Sequence, residues 1–132
     1  MKNIPQNIKE TIQKFTIETQ KLLGERVKKV ILYGSYARGD YNSDSDIDIM
    51  ILTDLTDDEI DYYRRKISEL AYDIDFENNF DIMLSPVIKN IEKFNYWLNA
   101  LPFYMNVQKG AYQICTNVLK EEFKIDETSS NV

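Results

Sequence analysis

The side chains best suited to chemistry lie in one short segment, residues 34–48. The segment opens with Gly34-Ser35 and closes, after ten intervening residues, with Asp46-x-Asp48. If a helix begins just after Ser35, its free backbone N–H groups and the Ser35 hydroxyl would face an anion, and Gly34 would let a phosphate approach the backbone. On a strand, Asp46 and Asp48 would present both carboxylates on one face, with Cα atoms about 6–7 Å apart. The segment therefore predicts a phosphate-binding turn beside a carboxylate pair.

The carboxylate pair in turn predicts a divalent-cation site. Asp is depleted in strands, and two ionised carboxylates on one face repel each other unless a cation neutralises them. Mg²⁺ prefers carboxylate and phosphate oxygens, and Mn²⁺ accepts the same ligands. The alternative is that Asp46 and Asp48 form the polar face of a half-exposed strand, with Asp44 as a turn residue. We expect the cation site, occupied by Mg²⁺ or Mn²⁺.

Strands are predicted on both sides of this segment. Val27–Tyr33 is rich in Val, Ile and Tyr, and Ile47–Thr53 is almost continuously apolar or β-branched. A third strand is predicted over residues 80–87. Residues 109–114 predict a turn followed by a short final strand or helix.

Three helices are predicted to cover these strands. Residues 5–23 show apolar side chains at helical spacing between a proline and a glycine. Thr56 and Glu59 match a capping box, which predicts a second helix over residues 57–74. The third helix is predicted over residues 89–100.

The length and the end of the chain predict one domain. At 132 residues the chain can form a single domain over residues 1–119, without a second domain to hold an acceptor. Residues 120–132 are rich in Glu, Asp, Ser and Asn, which predicts a flexible C-terminal tail.

Charge and residue usage exclude several classes of function. The net charge of −6 disfavours binding to a free polynucleotide, because nucleic-acid binding depends on clustered Lys and Arg. The absence of histidine excludes imidazole bases and histidine zinc sites. Cys115 is the only cysteine, and no apolar run is long enough for a membrane span. We therefore expect a cytoplasmic protein that binds no membrane.

Gly34-Ser35 and Asp46-x-Asp48 together resemble the signature of the minimal nucleotidyltransferases in the DNA polymerase beta-like superfamily. The resemblance covers about residues 27–86 and includes the surrounding residues Tyr33, Ala37-Arg38-Gly39 and Ser45-Asp46-Ile47-Asp48-Ile49. It implies an α/β (α+β) fold, a small mixed β-sheet flanked by helices, which is the polymerase beta-like nucleotidyltransferase palm.

The resemblance also implies a third acidic residue on a neighbouring strand that completes the metal site. Asp81, in the predicted strand 80–87, is the candidate for this third ligand. Asp73 and Asp75 are its rivals, but they fall at a predicted helix end, where acidic side chains are usually solvated. Asp81 would share a metal ion and would orient or accept the proton of the acceptor hydroxyl.

The nucleotide would be held by Gly34, Ser35 and Arg38. By resemblance, the first two hold the outer phosphates in line for the departure of pyrophosphate. Arg38 either pairs with a phosphate or braces the turn by bonding Asp40, Asp44 or backbone carbonyls. Asn42 and Ser45 are predicted to shape the turn rather than touch the substrate, since their side chains favour local backbone hydrogen bonds.

Small bacterial relatives of this type are often encoded beside a HEPN-domain partner, as antitoxin and toxin. The resemblance therefore implies a metal-dependent transferase that moves AMP from ATP to a tyrosine of a HEPN toxin and silences it, within a hetero-oligomer of the two. One alternative is a nucleotidyltransferase that acts on a small molecule, of the aminoglycoside type. Another is an antitoxin that neutralises its partner by binding alone.

Overall fold

Five strands form one mixed β-sheet in the order β3-β2-β1-β4-β5. The computed structural model describes residues 4–98, 100–102, 105, 111–117 and 122–127. β1 pairs antiparallel with both β2 and β4, β2 pairs parallel with β3, and β4 pairs antiparallel with β5. The strands are β1 (Val27–Tyr33), β2 (Ile47–Thr53), β3 (Leu84–Asn90), β4 (Tyr112–Asn117) and β5 (Glu122–Glu127).

Four α-helices connect and cover the described strands: α1 (Gln6–Leu23), α2 (Ser35–Arg38), α3 (Asp57–Glu77) and α4 (Ile91–Trp97). A short 3-10 turn, Gly24–Arg26, joins α1 to β1. The predicted capping box is present at the start of α3 and satisfies two backbone N–H groups there. None of the helices in the described ranges is both long and apolar enough to cross a membrane.

β2 lies in the middle of the core, with apolar side chains on both of its faces. Ile47, Ile49 and Ile51 join the larger core cluster, which also contains the buried side chains of α1 and α3. Met50 and Leu52 alternate with them and join a second cluster on the opposite face. A strand buried on both faces is expected to read as a continuous apolar run, as this sequence does. Asp46 and Asp48 therefore stand at the entrance of the most buried strand.

The predictions for β1 and β2 are confirmed residue for residue, but the third strand was predicted too early. The chain is still turning at Asn79 and Phe80, whose φ angles are +55° and +56°. β3 consequently begins at Leu84 and continues to Asn90.

The helix predictions differ from the structure mainly at their ends. α3 extends three residues beyond the predicted residue 74. The helix predicted over residues 89–100 begins only at Ile91, because Lys89 and Asn90 pair with β2. Asn90 then caps α4 by accepting a hydrogen bond from the Lys93 N–H at 2.9 Å.

The C-terminal prediction is wrong for residues 122–127. These residues form β5 and pair with β4, from Tyr112 opposite Glu127 to Asn117 opposite Glu122. β4 also answers the alternative of a final strand or helix, since residues 112–117 form a strand. The predicted turn at Lys109-Gly110 and the end of the chain after residue 127 lie outside the described residues.

Candidate active site

Gly34 and Asp48 meet where β1 ends and β2 begins. Tyr33, the last residue of β1, pairs with Asp48 in the antiparallel register, so Gly34 follows directly beside the carboxylate. A β-carbon built on Gly34 would lie only 2.1 Å from Asp48 Oδ2, and the φ of Gly34 is +78°. Residues with a side chain disfavour such a φ and cannot tolerate such a contact. Position 34 therefore requires glycine for the two segments to meet.

α2 begins at Ser35 and continues directly from this contact. The Arg38 N–H donates to the Gly34 carbonyl at 3.0 Å, and the Gly39 N–H donates to the Ser35 carbonyl at 2.8 Å. Ser35 is half-buried. Since the first N–H groups of a helix lack partners within the helix, this turn and the Ser35 hydroxyl can donate to an anion beside Asp48. The predicted phosphate-binding turn is thus next to the carboxylates.

The environment of Asp48, including the neighbouring charge of Asp46, alters the ionisation of Asp48. Ile47 between them is fully buried, whereas Asp48 is half-buried and Asp46 is exposed. Burial and then the charge of Asp46 raise the pKa of Asp48 above its ordinary value, and the Arg38 guanidinium opposes this rise. The predicted repulsion within the carboxylate pair is therefore present, and a cation would relieve it.

Two tyrosines flank the carboxylate pair. Burial, with a contribution from Asp48, raises the pKa of Tyr33 to about 12. Tyr36 is buried and stacks on Tyr41 with ring centroids 4.6 Å apart. Burial, Tyr41 and Asp46 raise the pKa of Tyr36. Both phenols are therefore neutral at pH 7 and add no charge beside the carboxylate pair.

Arg38 is positioned between the turn and the carboxylates. Its Nε donates to Asp40 Oδ2 at 3.3 Å, so the alternative in which Arg38 braces the turn is observed. The guanidinium also lowers the pKa of Asp48, so it faces the carboxylate pair as well. Its binding to a phosphate stays a prediction.

The loop between α2 and β2 is held by its own side chains, as predicted. The Asn42 N–H donates to Ser45 Oγ at 2.9 Å, and the Asp44 N–H donates to Asn42 Oδ1 at 2.8 Å. These contacts use Asn42 and Ser45 within the loop, which sets the direction in which the chain enters β2.

Asp81 lies in the bend before β3, with an exposed side chain. Its N–H donates to the Asn78 carbonyl at 3.0 Å. Because β3 begins three residues later, the residue opposite Asp48 in the parallel register is Ser85. The expectation that Asp81 lies on a strand is therefore wrong, although the bend is at the end of the sheet that carries Asp46. Its role as a metal ligand stays a prediction.

Asp75 is buried, contrary to the expectation that it would be solvated. Its exposed fraction is 3 %, and its carboxylate oxygens accept from the Leu84 N–H at 3.1 and 3.3 Å. Burial raises the pKa of Asp75, the Leu84 hydrogen bond opposes this rise, and Asp46 adds to it. Asp75 therefore anchors the start of β3 and lies within electrostatic reach of Asp46. Asp73 is exposed, as expected.

A signal for Asp75 was present in the sequence. The apolar stripe of α3 that contains Ile67 and Ala71 continues to Ile74 and Asp75 at helical spacing. Sequence reasoning gave Tyr33 no place beside the carboxylates. The pairing of β1 with β2 puts it there, because the last residue of β1 lies opposite Asp48.

The residues of this site fit a hard divalent cation. Two carboxylates lie close together, and one of them is partly desolvated, which is the donor chemistry that Mg²⁺ and Mn²⁺ accept. Within the ranges that the structure describes, no three acidic or cysteine side chains are arranged so that they could hold a metal ion together. The geometry thus brings two candidate ligands together, and their binding of a metal ion stays a prediction.

Comparison with known proteins identifies the family. The sequence model of the nucleotidyltransferase domain matches residues 12–103, more than half of the chain. The chain belongs to the nucleotidyltransferase domain family. Two relatives come from Methanocaldococcus jannaschii, and both have the provisional name protein adenylyltransferase. MJ0604 is 33% identical over 101 residues, which cover 76% of this chain and 91% of the relative. MJ0141 is 35% identical over 79 residues, which cover 60% of this chain and 76% of the relative.

In this nucleotidyltransferase, the region that matches the family model contains the candidate active site. Residues 12–103 include the Gly34-Ser35 turn, both carboxylates of the pair and the bend at Asp81. The resemblance to the minimal nucleotidyltransferases and the polymerase beta-like fold are thus confirmed. The reaction class is transfer of a nucleoside monophosphate from a nucleoside triphosphate.

Proposed function

We propose that this nucleotidyltransferase transfers AMP from ATP to a tyrosine hydroxyl of a HEPN-domain toxin and thereby acts as its antitoxin. The observation that carries the proposal is the contact of the Gly34-Ser35 turn with Asp48, beside Asp46. The provisional names of both relatives support a protein as the acceptor. The net charge of −6 suits a basic nuclease as the partner.

Asp46 and Asp48 would hold Mg²⁺, or Mn²⁺, and Asp81 would supply the third carboxylate. When bound, the cation neutralises the charge of the triphosphate and of the departing pyrophosphate. Both carboxylates must be deprotonated in this role, because a carboxylate coordinates a cation in its ionised form. The repulsion that raises the pKa of Asp48 is then relieved by the ligand that the site binds.

The chain's own residues would orient the phosphates. Gly34 leaves room for a phosphate against the backbone, and the Ser35 hydroxyl can donate to one of its oxygens. Arg38 would donate to a second phosphate oxygen while keeping its contact with Asp40. These donors would place the bond between the α-phosphorus and the bridging oxygen in line with the acceptor.

The acceptor tyrosine oxygen would then form a bond to the α-phosphorus as the bond to pyrophosphate breaks. The phenolic proton leaves the tyrosine during this step, and Asp81 would orient or accept it. A carboxylate takes this part because the chain contains no histidine. The products are the adenylylated tyrosine and pyrophosphate.

The test is a transfer assay with ATP labelled at the α-phosphate, Mg²⁺ and the product of the gene that neighbours this chain's gene, supplied as the HEPN-domain acceptor. We expect label on the HEPN protein, and no label after its acceptor tyrosine is replaced by Phe or when EDTA replaces Mg²⁺. Asp46→Asn and Asp48→Asn should each reduce transfer at least about 100-fold, the size of losing one transition-state electrostatic group. Asp44→Asn removes the same charge from the exposed loop and should retain transfer.

Three results would contradict the proposal. Label on an aminoglycoside in place of the HEPN protein would assign a small-molecule acceptor. A stable complex without any label would assign neutralisation by binding alone. Full transfer by Asp48→Asn would reject the carboxylate pair as the site of the reaction.

A further inference from the structure

An exposed cluster of apolar side chains lies where α3 ends and the chain turns towards β3. We call Tyr72, Phe76, Phe80 and Met83 the aromatic patch. Their side chains are between 41 % and 64 % exposed. The Tyr72 and Phe80 rings lie 5.4 Å apart, and the Phe76 and Phe80 rings lie 5.9 Å apart in an edge-to-face arrangement. Exposed apolar residues are common singly, but a contiguous group marks a binding surface.

The turn holds the Phe80 ring in this patch against its backbone preference. Asn79 and Phe80 both have positive φ, and for a bulky residue such as Phe80 this conformation is a genuine outlier. The Phe80 N–H donates to the Asp75 carbonyl at 2.8 Å, which fixes the turn. Strained backbone of this kind persists where the structure over-determines it, and it clusters at functional sites. A glycine at position 80 would relieve the strain but would remove the ring.

The aromatic patch adjoins the carboxylate pair. The carbonyl of Met83 accepts from the Ile47 N–H at 2.8 Å, so the patch ends beside the residue that separates Asp46 from Asp48. A docked protein would therefore have one edge at the catalytic carboxylates. This proximity suits a surface that positions an acceptor.

The border of the aromatic patch is acidic. Asp73 and Asp81 directly follow Tyr72 and Phe80, and both carboxylates are exposed, as is that of Asp46. None of these three carboxylates forms an ion pair with another residue that the structure describes. A partner with Lys or Arg around an apolar centre would complement this surface.

We infer that the aromatic patch is the docking surface for the protein acceptor, with a basic rim of the acceptor lying on the acidic border at Asp73. The inference rests on the proposed function, which supplies a protein as acceptor. A nuclease must carry clustered Lys and Arg to bind phosphates, and this is the charge that the border would attract. Aromatic residues and Met at the centre with charges at the rim form the usual anatomy of a protein interface.

Tyr72→Ser and Phe76→Ser test the inference, with Tyr62→Ser as the matched control. Tyr62 lies on the same helix, away from the patch, and is 62 % exposed against 60 % for Tyr72. The probe is the purified HEPN-domain protein. We expect each patch variant to raise the KM for the HEPN protein in the transfer assay about tenfold or more, as loss of an interface anchor does. The Kd of the HEPN protein, measured by calorimetry without ATP, should rise by a similar factor. Tyr62→Ser should keep both values within about twofold of wild type. Every variant should also keep the KM for ATP within about twofold of wild type.

Phe80→Gly separates docking from folding. Glycine accepts the positive φ at this position, so the Tm should be unchanged or higher. Binding of the HEPN protein should nevertheless weaken about as much as in Phe76→Ser. If Phe80 had only a structural role, Phe80→Gly would lower the Tm and leave the Kd unchanged.

The remaining outcomes are also decisive. If wild-type protein labels the HEPN protein and the patch variants behave like Tyr62→Ser, the docking inference is wrong and the proposed function stands. If a patch-dependent complex forms but wild-type protein transfers no AMP, the docking surface stands and the proposed reaction is wrong. A rise in the KM for ATP alone would show that the patch binds the adenine base of ATP and not the acceptor. The inference would also be wrong if the patch variants dissociate a homodimer of this chain without changing the Kd for the HEPN protein. It would be wrong as well if the wild-type protein forms no complex with the HEPN protein.

Discussion

Gly34 and Asp48 approach each other so closely that a β-carbon at position 34 would overlap with Asp48 Oδ2, at 2.1 Å. The same glycine has a φ of +78° and precedes the serine that heads α2. One residue therefore sets both the backbone direction of the phosphate-binding turn and its distance from the carboxylate pair.

Gly34→Ala should displace the Asp48 carboxylate and strain the turn. We expect transfer to fall at least about 100-fold, because a catalytic group moved by about 1 Å commonly loses that much activity. The Tm should fall as well, since alanine is strained at this φ. Single-turnover transfer and thermal unfolding measure the two effects.

Gly24→Ala separates the two causes. Gly24 has a φ of +60° and a ψ of −134°, close to the values at Gly34, but nothing lies within 4 Å of the added β-carbon. This control should lose stability and keep transfer. Equal loss of transfer in both variants would show that general strain, and not the contact with Asp48, matters at Gly34.

Spacing alone was sufficient to predict the central residues of this site. Gly34, Ser35, Asp46 and Asp48 lie on consecutive elements that are joined by one short loop, so local rules bring them together. Asp75 was mistaken for a solvated residue because its burial depends on how the end of α3 packs on β3. That contact is set by tertiary structure and not by helix periodicity alone.

At the scale of elements, Arg26 joins β1, β2 and α3 at the end of the sheet opposite the active site. Its guanidinium binds both carboxylate oxygens of Glu59, at 3.0 and 3.1 Å, and also contacts Asp54 after β2. Glu59 simultaneously closes the capping box by accepting from the Thr56 N–H at 3.0 Å. One arginine thus links the start of α3 to the two central strands.

This junction predicts an acid limit for stability. The Arg26 hydrogen bond, followed by Thr56, lowers the pKa of Glu59 to about 2. A lowered folded-state pKa stabilises the fold above the unfolded value, near pH 4.5, and the contribution is lost as pH falls through about 2. Glu59→Gln should therefore be less stable than wild type at pH 7, and the difference should disappear in acid. The group is exposed, so we expect a small effect.

Urea unfolding between pH 7 and pH 2 measures this difference. Glu69→Gln is the control, since Glu69 lies on the same helix and, among the residues that the structure describes, forms its ion pair with Arg65 one turn earlier. Its midpoint should follow that of wild type at every pH. A constant difference between Glu59→Gln and wild type across the whole range would assign the effect to the cap and not to ionisation.

Helices and strands were predicted well where the signal lies within the segment itself, and less well where it depends on distant parts of the chain. Alternating and continuous apolar runs defined β1 and β2, and Thr56 with Glu59 defined the start of α3. The predicted start of β3 was wrong because the left-handed turn continues through Phe80; an asparagine such as Asn79 often adopts this conformation, but a bulky residue such as Phe80 rarely does. β5 was missed because the polar composition of the C-terminal end was taken as a tail, although Phe123 and Ile125 alternate with charged residues as in a strand with one apolar face.

Over the molecule as a whole, charge is distributed differently at the two ends of β2. The end near Thr53 is cross-linked by Arg26, whereas the end at Asp46 and Asp48 holds carboxylates that repel each other. The net charge of −6 adds to this repulsion. The fold therefore tolerates a less stable arrangement at its active end, as expected of a site built to bind a cation.

This arrangement predicts opposite effects of one substitution with and without cation. Asp48 has a raised pKa, so its stabilising contribution is present below the unfolded value and is lost as pH rises through the folded one. At pH 7 in EDTA, Asp48→Asn should consequently raise the Tm. In Mg²⁺ at ten times its Kd, wild type should gain about 1.4 kcal/mol and a few degrees in Tm, whereas Asp48→Asn should gain nothing specific.

Differential scanning calorimetry in EDTA, in MgCl₂ and in NaCl of equal ionic strength measures these shifts. Sodium chloride corrects for screening, because salt alone stabilises a chain with this net charge by weakening its self-repulsion. Asp58→Asn, at an exposed position in the first turn of α3, controls for the loss of one negative charge and should keep the full response to Mg²⁺. An Asp48→Asn variant that is less stable than wild type in EDTA, or that gains as much from Mg²⁺, would contradict the assignment of Asp48 as a strained cation ligand.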